Sequence, residues 1–265
     1  MLPLISVIVN CRNGSKYLEE CLQSVKKQQY TNWELIFYDN QSTDESKKIF
    51  EKNFCNKFKY YKSTKLETLY AARNIACSYA KGEYIAFLDT DDFWLENYLS
   101  LREEFFKNNV QKFSFSNCLH KFEFSKKINI FTKLKIPNGY IINFLSKNYL
   151  VKISCLIVEK KIFEDIGKFN PNYNIIGDYD LVMKLASNYQ AHAVQKPSAV
   201  IRFHGKNFLD LNRKMFYQEY RQWFLNLDNR NQNIYKNKKH FFIKLLYLWF
   251  VSLIPKKIVN LLKKK

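Results

Sequence analysis

Acidic side chains are scarce in this sequence: 24 Asp and Glu stand against 43 Lys and Arg, a formal net charge of +19 over 265 residues. So large a positive excess gives the surface a field that attracts polyanions or anionic lipid. Glycine and proline are also few, 6 and 5 residues, and no flexible linker or internal repeat divides the chain. Six cysteines, Cys11, Cys21, Cys55, Cys77, Cys118 and Cys155, show no CxxC spacing. They read as reduced core thiols, which excludes a disulfide framework and a zinc ribbon and points to a reducing compartment. No apolar stretch reaches the roughly 18 residues that a membrane-spanning helix needs. Met1-Leu2-Pro3-Leu4 lacks the basic start of a secretory leader, so nothing here is expected to export or thread the chain.

Apolar material is plentiful. Hydrophobic residues make up 47% of the chain and aromatic residues 17%, which excludes a disordered polymer and suffices for one well-cored domain with a short appendage. Leu4 to Val9 is a β-branched run that reads as a buried strand. Tyr17, Leu18, Cys21, Leu22 and Val25 then recur at helical spacing, and Trp33 to Tyr38 forms a second strand ending in Asp39. The alternation repeats. A helix over Ser42 to Phe50 with Ser42 or Thr43 as its N-cap is expected, then a strand over Phe58 to Tyr61 and a helix over Leu66 to Ala80. Gly82 reads as the C-cap of that helix, before a strand over Tyr84 to Leu88. Such a series predicts an α/β layer fold. Residues 108–148 show weak periodicity and read as β-structure with loops. Helical spacing returns around Asp180, Leu181, Met183, Leu185 and Ala186.

The strand over Tyr84 to Leu88 stops at Asp89-Thr90-Asp91-Asp92. Several carboxylates in one small volume repel unless a cation compensates, and Asp oxygens suit a hard ion such as Mg²⁺ or Mn²⁺ that bridges to substrate phosphates. The plain alternative is a solvated turn capping a helix that begins near Phe93. Asp39 ends another strand, in open α/β sheets the edge where ligands bind. Asp178, in Gly177-Asp178-Tyr179-Asp180 before an amphipathic helix, offers a general base or an N-cap. His204 follows a strand-like run and could as well be structural.

Taken in order, these elements resemble the family 2 inverting glycosyltransferases over about residues 4–206. Ser6-Val7-Ile8-Val9-Asn10 resembles the opening strand, Tyr38-Asp39-Asn40-Gln41-Ser42-Thr43-Asp44 the nucleotide-binding turn, and Ala72-Arg73-Asn74 the helix that lines the donor pocket. Gly82 to Asp92 resembles the strand leading into the DxD motif, Gly167-Lys168-Phe169 the Gly-x-Phe turn, and Gly177 to Leu181 the acidic acceptor motif, with Gly177 where many relatives carry Glu. The resemblance implies a GT-A (Rossmann-like) mixed sheet flanked by helices. It also implies nucleotide-sugar contacts from Asn10, Asp39, Arg73, Asp89 and Asp91, a Mn²⁺ or Mg²⁺ ion near Asp91 and His204, and Asp178 as catalytic base. The expected activity is transfer of a sugar from a nucleotide-diphosphate donor, uridine foremost, to a glycan or lipid-linked acceptor with inversion.

Residues 1–206 read as the catalytic domain and 207–265 as a basic, aromatic helical segment. His240 to Lys265 mixes Phe241, Phe242, Ile243, Leu245, Leu246, Leu248, Trp249 and Phe250 with lysines, a composition suited to lie in an anionic membrane interface. A cytoplasmic protein, peripheral on the inner face of the plasma membrane, is expected. The alternative for this segment is a core helix packed on the catalytic domain. Two other functions compete: a nucleic-acid binder using the basic surface, for which strand-end carboxylates have no use, and an inactive nucleotide-binding scaffold of the same fold.

Overall fold

In the computed structural model, residues 2–107, 109–205, 212–227 and 232–254 are described. The first apolar runs become parallel neighbours. β1 (Ile5–Cys11) lies between β2 (Trp33–Asp39) and β4 (Tyr84–Phe87), and β3 (Phe58–Lys62) flanks β2. Both faces of β1 are covered: Val7 and Val9 join one core cluster and Ile8 the other, which is why the run is continuously apolar rather than alternating. The crossovers are α1 (Ser15–Lys26), α2 (Ser46–Lys52) and α3 (Leu69–Ser78).

Three local expectations are corrected. α2 begins at Ser46, because Ser42 serves the neighbouring loop, its Oγ accepting from the Asn13 amide, while the Asp44 carboxylate accepts both from the Ser46 amide at the start of α2 and from the Ser15 amide. α3 ends at Ser78, short of Gly82. Gly82 instead packs against β1, where a Cβ would stand 2.6 Å from the Leu4 carbonyl oxygen and 2.7 Å from the Ser6 nitrogen; this is close backbone approach, which only glycine permits. No helix starts at Phe93; Phe93–Trp94 is a short strand, β5.

The second half adds α4 (Glu103–Lys107), β6 (Gln111–Phe122), β7 (Lys127–Ile130), α5 (Ile142–Lys147), β8 (Leu156–Glu159), α6 (Lys160–Asp165), α7 (Gly177–Asn188) and β9 (Gln190–Phe203). The sheet runs β3-β2-β1-β4-β8-β6-β9-β5, with β7 paired to β6. β8 is antiparallel to β4 and to β6, whereas β6 and β9 are parallel. The sheet is mixed and helix-flanked, as the sequence implied. Beyond it lie α8 (Arg213–Leu225), α9 (Gln232–Tyr235) and α10 (Lys238–Leu253). Tyr220, Trp223, Phe241 and Leu248 from these helices join the core cluster that also holds Tyr70, Phe87 and Tyr179.

Candidate active site

Because β1, β2 and β4 are parallel, their carboxyl ends share one edge of the sheet. Asn10 lies near the end of β1, Asp39 closes β2, and Asp89 to Asp92 follow β4. Beside this edge opens a cleft of about 940 Å³ whose lining includes Asn10, Arg73, Asp89, Asp91 and His204. The Asn10 amide oxygen is buried with no partner among the described residues, an orphan acceptor beside a polar cleft.

Each acidic residue after β4 has a different environment. Asp89 forms an ion pair with Arg73, whose guanidinium is buried (4% exposed) against the rings of Tyr70 and Phe169. Asp91 faces His204, with Nε2 3.0 Å from its Oδ2, and the imidazole lies beside Tyr17. Asp92 turns inward: it accepts from Ser154 Oγ at 2.6 Å and from the Arg202 amide at 2.9 Å. Burial first, then the charge of Asp89, raises the Asp91 carboxyl above its usual range, with the His204 hydrogen bond opposing. Asp92 is raised strongly by burial and by both neighbours.

Oxygens of Asp89, Asp91 and Asp92 lie within 4.8 Å of one another. Asp92 accepts two hydrogen bonds from the protein, while Asp89 and Asp91, each in an ion pair, line the cleft together with His204. A hard oxygen set with mutual repulsion and one imidazole fits Mn²⁺ or Mg²⁺. Arg202 ties this turn to the rest of the site: it donates to the Asp91 carbonyl at 2.8 Å and pairs with Glu123 and Glu20. Neither Asp92 nor Arg202 was singled out from sequence as an anchor, because both partners lie more than 60 residues away.

Asp39 lies behind the cleft. It is 1% exposed, and its carboxylate accepts from the Ser42 amide and from Tyr60 Oη; its neighbour Asn40 reaches the cleft lining. Asp178 sits in the first turn of α7 rather than ahead of it. Its Oδ1 lies 3.3 Å from Tyr70 Oη and accepts from the Tyr179 amide. Burial raises its carboxyl above the usual range, while Arg73 pulls it down. The backbone before α7 is fixed by Glu219 of α8, which accepts from the amides of Asn174, Ile175 and Ile176 at 2.8–3.2 Å. Trp223 Nε1 donates to Asp180 Oδ1 at 3.1 Å. Glu219 and Trp223 were missed from sequence, where they look like ordinary members of an amphipathic helix.

The model of glycosyl transferase family 2 matches residues 6–167. The chain belongs to that family. An Escherichia coli relative, "UDP-Glc:alpha-D-GlcNAc-diphosphoundecaprenol beta-1,3-glucosyltransferase WfgD", is 33% identical over 156 residues, 58% of this chain and 59% of that protein. "Putative teichuronic acid biosynthesis glycosyltransferase TuaG" of Bacillus subtilis is 34% identical over 123 residues, 43% of this chain and 46% of that one. The chain thus spans about half the length of these curated relatives. Among solved structures, S. aureus TarS 1-349 in complex with UDP-GlcNAc aligns with a TM-score of 0.68 at 20% identity, covering 90% of this chain and 72% of that one. The mannosyltransferase PcManGT from Pyrobaculum calidifontis, in complex with GDP-Man and Mn2+, aligns with a TM-score of 0.65 at 13% identity, covering 100% and 79%. At those identities the likeness establishes the GT-A fold of this chain.

Proposed function

We propose that this enzyme moves a sugar from a nucleotide-diphosphate donor, a UDP-sugar first, to a hydroxyl of a glycan or lipid-linked acceptor, with inversion. The observation that carries this reading is the convergence of the Arg73–Asp89 pair and the Asp91–His204 pair on one cleft that also holds the orphan oxygen of Asn10. Uridine is favoured by the UDP-glucose that the E. coli relative is named for and the UDP-GlcNAc of the TarS complex. Asn10 accepts a hydrogen bond from the donor, and Asp39, with Asn40 in front of it, serves the nucleoside. Arg73 presents a fixed positive charge toward the diphosphate, stabilising the charge that develops on the leaving group. Asp91 and His204, with Asp89, hold Mn²⁺ or Mg²⁺, which when bound supplies Lewis-acid stabilisation of that same leaving group.

Asp178 takes the proton of the acceptor hydroxyl as its oxygen attacks the anomeric carbon from the face opposite the diphosphate, which inverts the centre. A carboxyl raised by burial is a stronger base than a solvated one. The exposed side of α10 carries Phe242, Ile243, Leu246, Tyr247, Trp249, Phe250 and Leu253 at 47–64% exposure, a face suited to the interface of an anionic membrane. Lys256, Lys257 and Lys263 to Lys265, part of the same basic segment, lie outside the described residues. Among the described residues no helix is long and apolar enough to cross a membrane. The nucleic-acid reading rests on net charge alone and leaves the cleft without a role.

Titration of the protein with UDP, GDP and dTDP, each with and without Mn²⁺, tests the donor site, with Asp91→Ala as control. Metal-dependent binding of one nucleotide, lost in the variant, is expected. Absence of nucleotide binding by the folded wild type overturns the reading, and binding without turnover across a panel of sugars and acceptors favours an inactive scaffold.

A further inference from the structure

A strand in a packed sheet normally buries at least one face. β7 does not: among the described residues it pairs with β6 alone, and residues 124–130 are exposed without a break. Ile128 and Ile130, which share a face of β7, join Phe124 and Leu134 as large apolar side chains left 42–85% exposed. Lys126, Lys127, Lys133 and Lys135 stand among them, all exposed. Glu123 is the sole acidic residue from 121 to 135, and Arg202 holds it at 3.0 Å. Among the described residues Lys121 pairs with Glu123 at 3.9 Å, whereas the other four lysines of the stretch form no ion pair. The hairpin is nonetheless anchored. The Glu123 amide donates to the Phe203 carbonyl at 3.0 Å, the Phe122 and Phe203 rings stack with centroids 5.1 Å apart, and the Phe131 amide donates to the Cys118 carbonyl at 2.9 Å. The Phe124 ring lies over Gly205, where a Cβ would stand 2.6 Å from it. Glu123 and Phe124 also line the cleft, and Arg202 donates to the Asp91 carbonyl. The tip of the hairpin is therefore part of the rim of the candidate active site.

We propose that the β6–β7 hairpin docks on the surface of an anionic bilayer, its apolar side chains entering the interface and its lysines meeting lipid phosphates, so that the cleft opens at the membrane. Charge decides the occupant. A second copy of this chain would set the lysines of one hairpin against those of the other, and like charges repel. A nucleic acid would satisfy the lysines but leave Ile128, Ile130 and Leu134, which have no ring to stack on a base, without a partner. Lysines on an edge strand deter pairing between sheets, but exposed isoleucines between them work against that purpose. An anionic bilayer takes both sets, headgroups for the ammonium groups and the acyl boundary for the apolar side chains. The inference rests on the membrane reading made for α10 and shares no residue with it, so the two contacts can fail separately. α10 supplies attachment; the hairpin sets which way the cleft faces.

The test places a reporter at the hairpin tip. The full chain carrying S125C is labelled with the environment-sensitive dye NBD, in a C55S background because Cys55 is half-buried whereas the other cysteines are buried. It is mixed with phosphatidylcholine vesicles with and without phosphatidylglycerol, and thermal melts establish that each variant is folded. Brighter, blue-shifted emission with phosphatidylglycerol, quenched by nitroxide-labelled lipid, is expected. Co-sedimentation should weaken by about fivefold for each lysine removed in K126Q/K127Q, and further as salt is raised. A tip signal that persists at saturating lipid in W249S/F250S, the α10 variant, supports the proposal as a contact of its own. A tip that stays in water while the wild type sediments with vesicles overturns it and leaves the α10 reading standing, as does sedimentation unchanged in K126Q/K127Q. A wild type that sediments with no vesicle overturns both. A tip signal brought on by raising protein concentration without lipid, or by an oligonucleotide, also overturns the proposal and assigns the hairpin to a second copy or to nucleic acid.

Discussion

The two sides of the proposed site, the strand ends read as the donor side and the start of α7 read as the acceptor side, are built differently. On the donor side, Asn10, Asp89 and Asp91 sit at or just beyond the ends of adjacent parallel strands, so the sheet itself delivers them to the cleft. On the acceptor side, Asp178 is held by groups from across the chain: Tyr70 of α3 directly and Glu219 of α8 through the preceding backbone. The donor half is therefore a property of the α/β frame, whereas the acceptor half depends on helices after residue 206 that the family match, ending at 167, does not include.

Substitutions should separate the two sides. The largest expected effect is that of Asp178→Asn, which removes the base and lowers kcat by up to roughly 10⁴-fold while leaving nucleotide affinity unchanged, measured by turnover and calorimetry in parallel. Asp91→Ala should lower turnover by about 10³-fold and, unlike the first, abolish metal-dependent nucleotide binding. If both variants lose nucleotide binding equally, the division fails. Glu219→Ala leaves three amides before α7 without their acceptor and should cost about 3 kcal/mol in urea unfolding, with kcat falling more than donor affinity. Replacement of Trp249 and Phe250 by serine should weaken binding to phosphatidylglycerol-containing vesicles by about tenfold, read by co-sedimentation, without changing nucleotide affinity.

The pH dependence sharpens the comparison further. Burial raises the folded Asp178 carboxyl above its ordinary value of 3.8, and the base works only when ionised. Turnover should therefore be full on the alkaline side and fall as pH drops through the raised value, at higher pH than for a solvated carboxylate. Asp178→Asn should remove that limb from whatever turnover remains. Since a raised carboxyl pKa means that the native state holds its proton longer than the unfolded chain, the same group destabilises the fold as pH rises above 3.8 and does so fully once it is ionised in both states.

Much of the donor half was legible in the residues. Apolar runs of β-branched residues gave β1, β2 and β4, and the abrupt change to Asp after β4 marked the cleft. Local capping was misjudged where a side chain served a neighbour instead of its own helix, as Ser42 does for the Asn13 amide. Gly82 looked like a helix terminus because nothing in the sequence reveals that the Leu4 carbonyl passes within 2.6 Å of its missing Cβ. Residues 108–148 resisted reading because β6 changes surroundings along its twelve residues, pairing with β8 and β9 and then with β7 and β9, so no single periodicity runs through it.

The sequence by itself determined the α/β class, the parallel strands and the carboxylates at their ends, since periodicity and composition act over a few residues. Only the tertiary structure decided which of those carboxylates face the cleft, that Arg73 is a buried partner of Asp89 and not a surface side chain, and that Glu219 fixes the backbone ahead of Asp178. Those pairings join residues 16 to 45 positions apart, and electrostatics and burial act through space, along which the order of residues carries no distance.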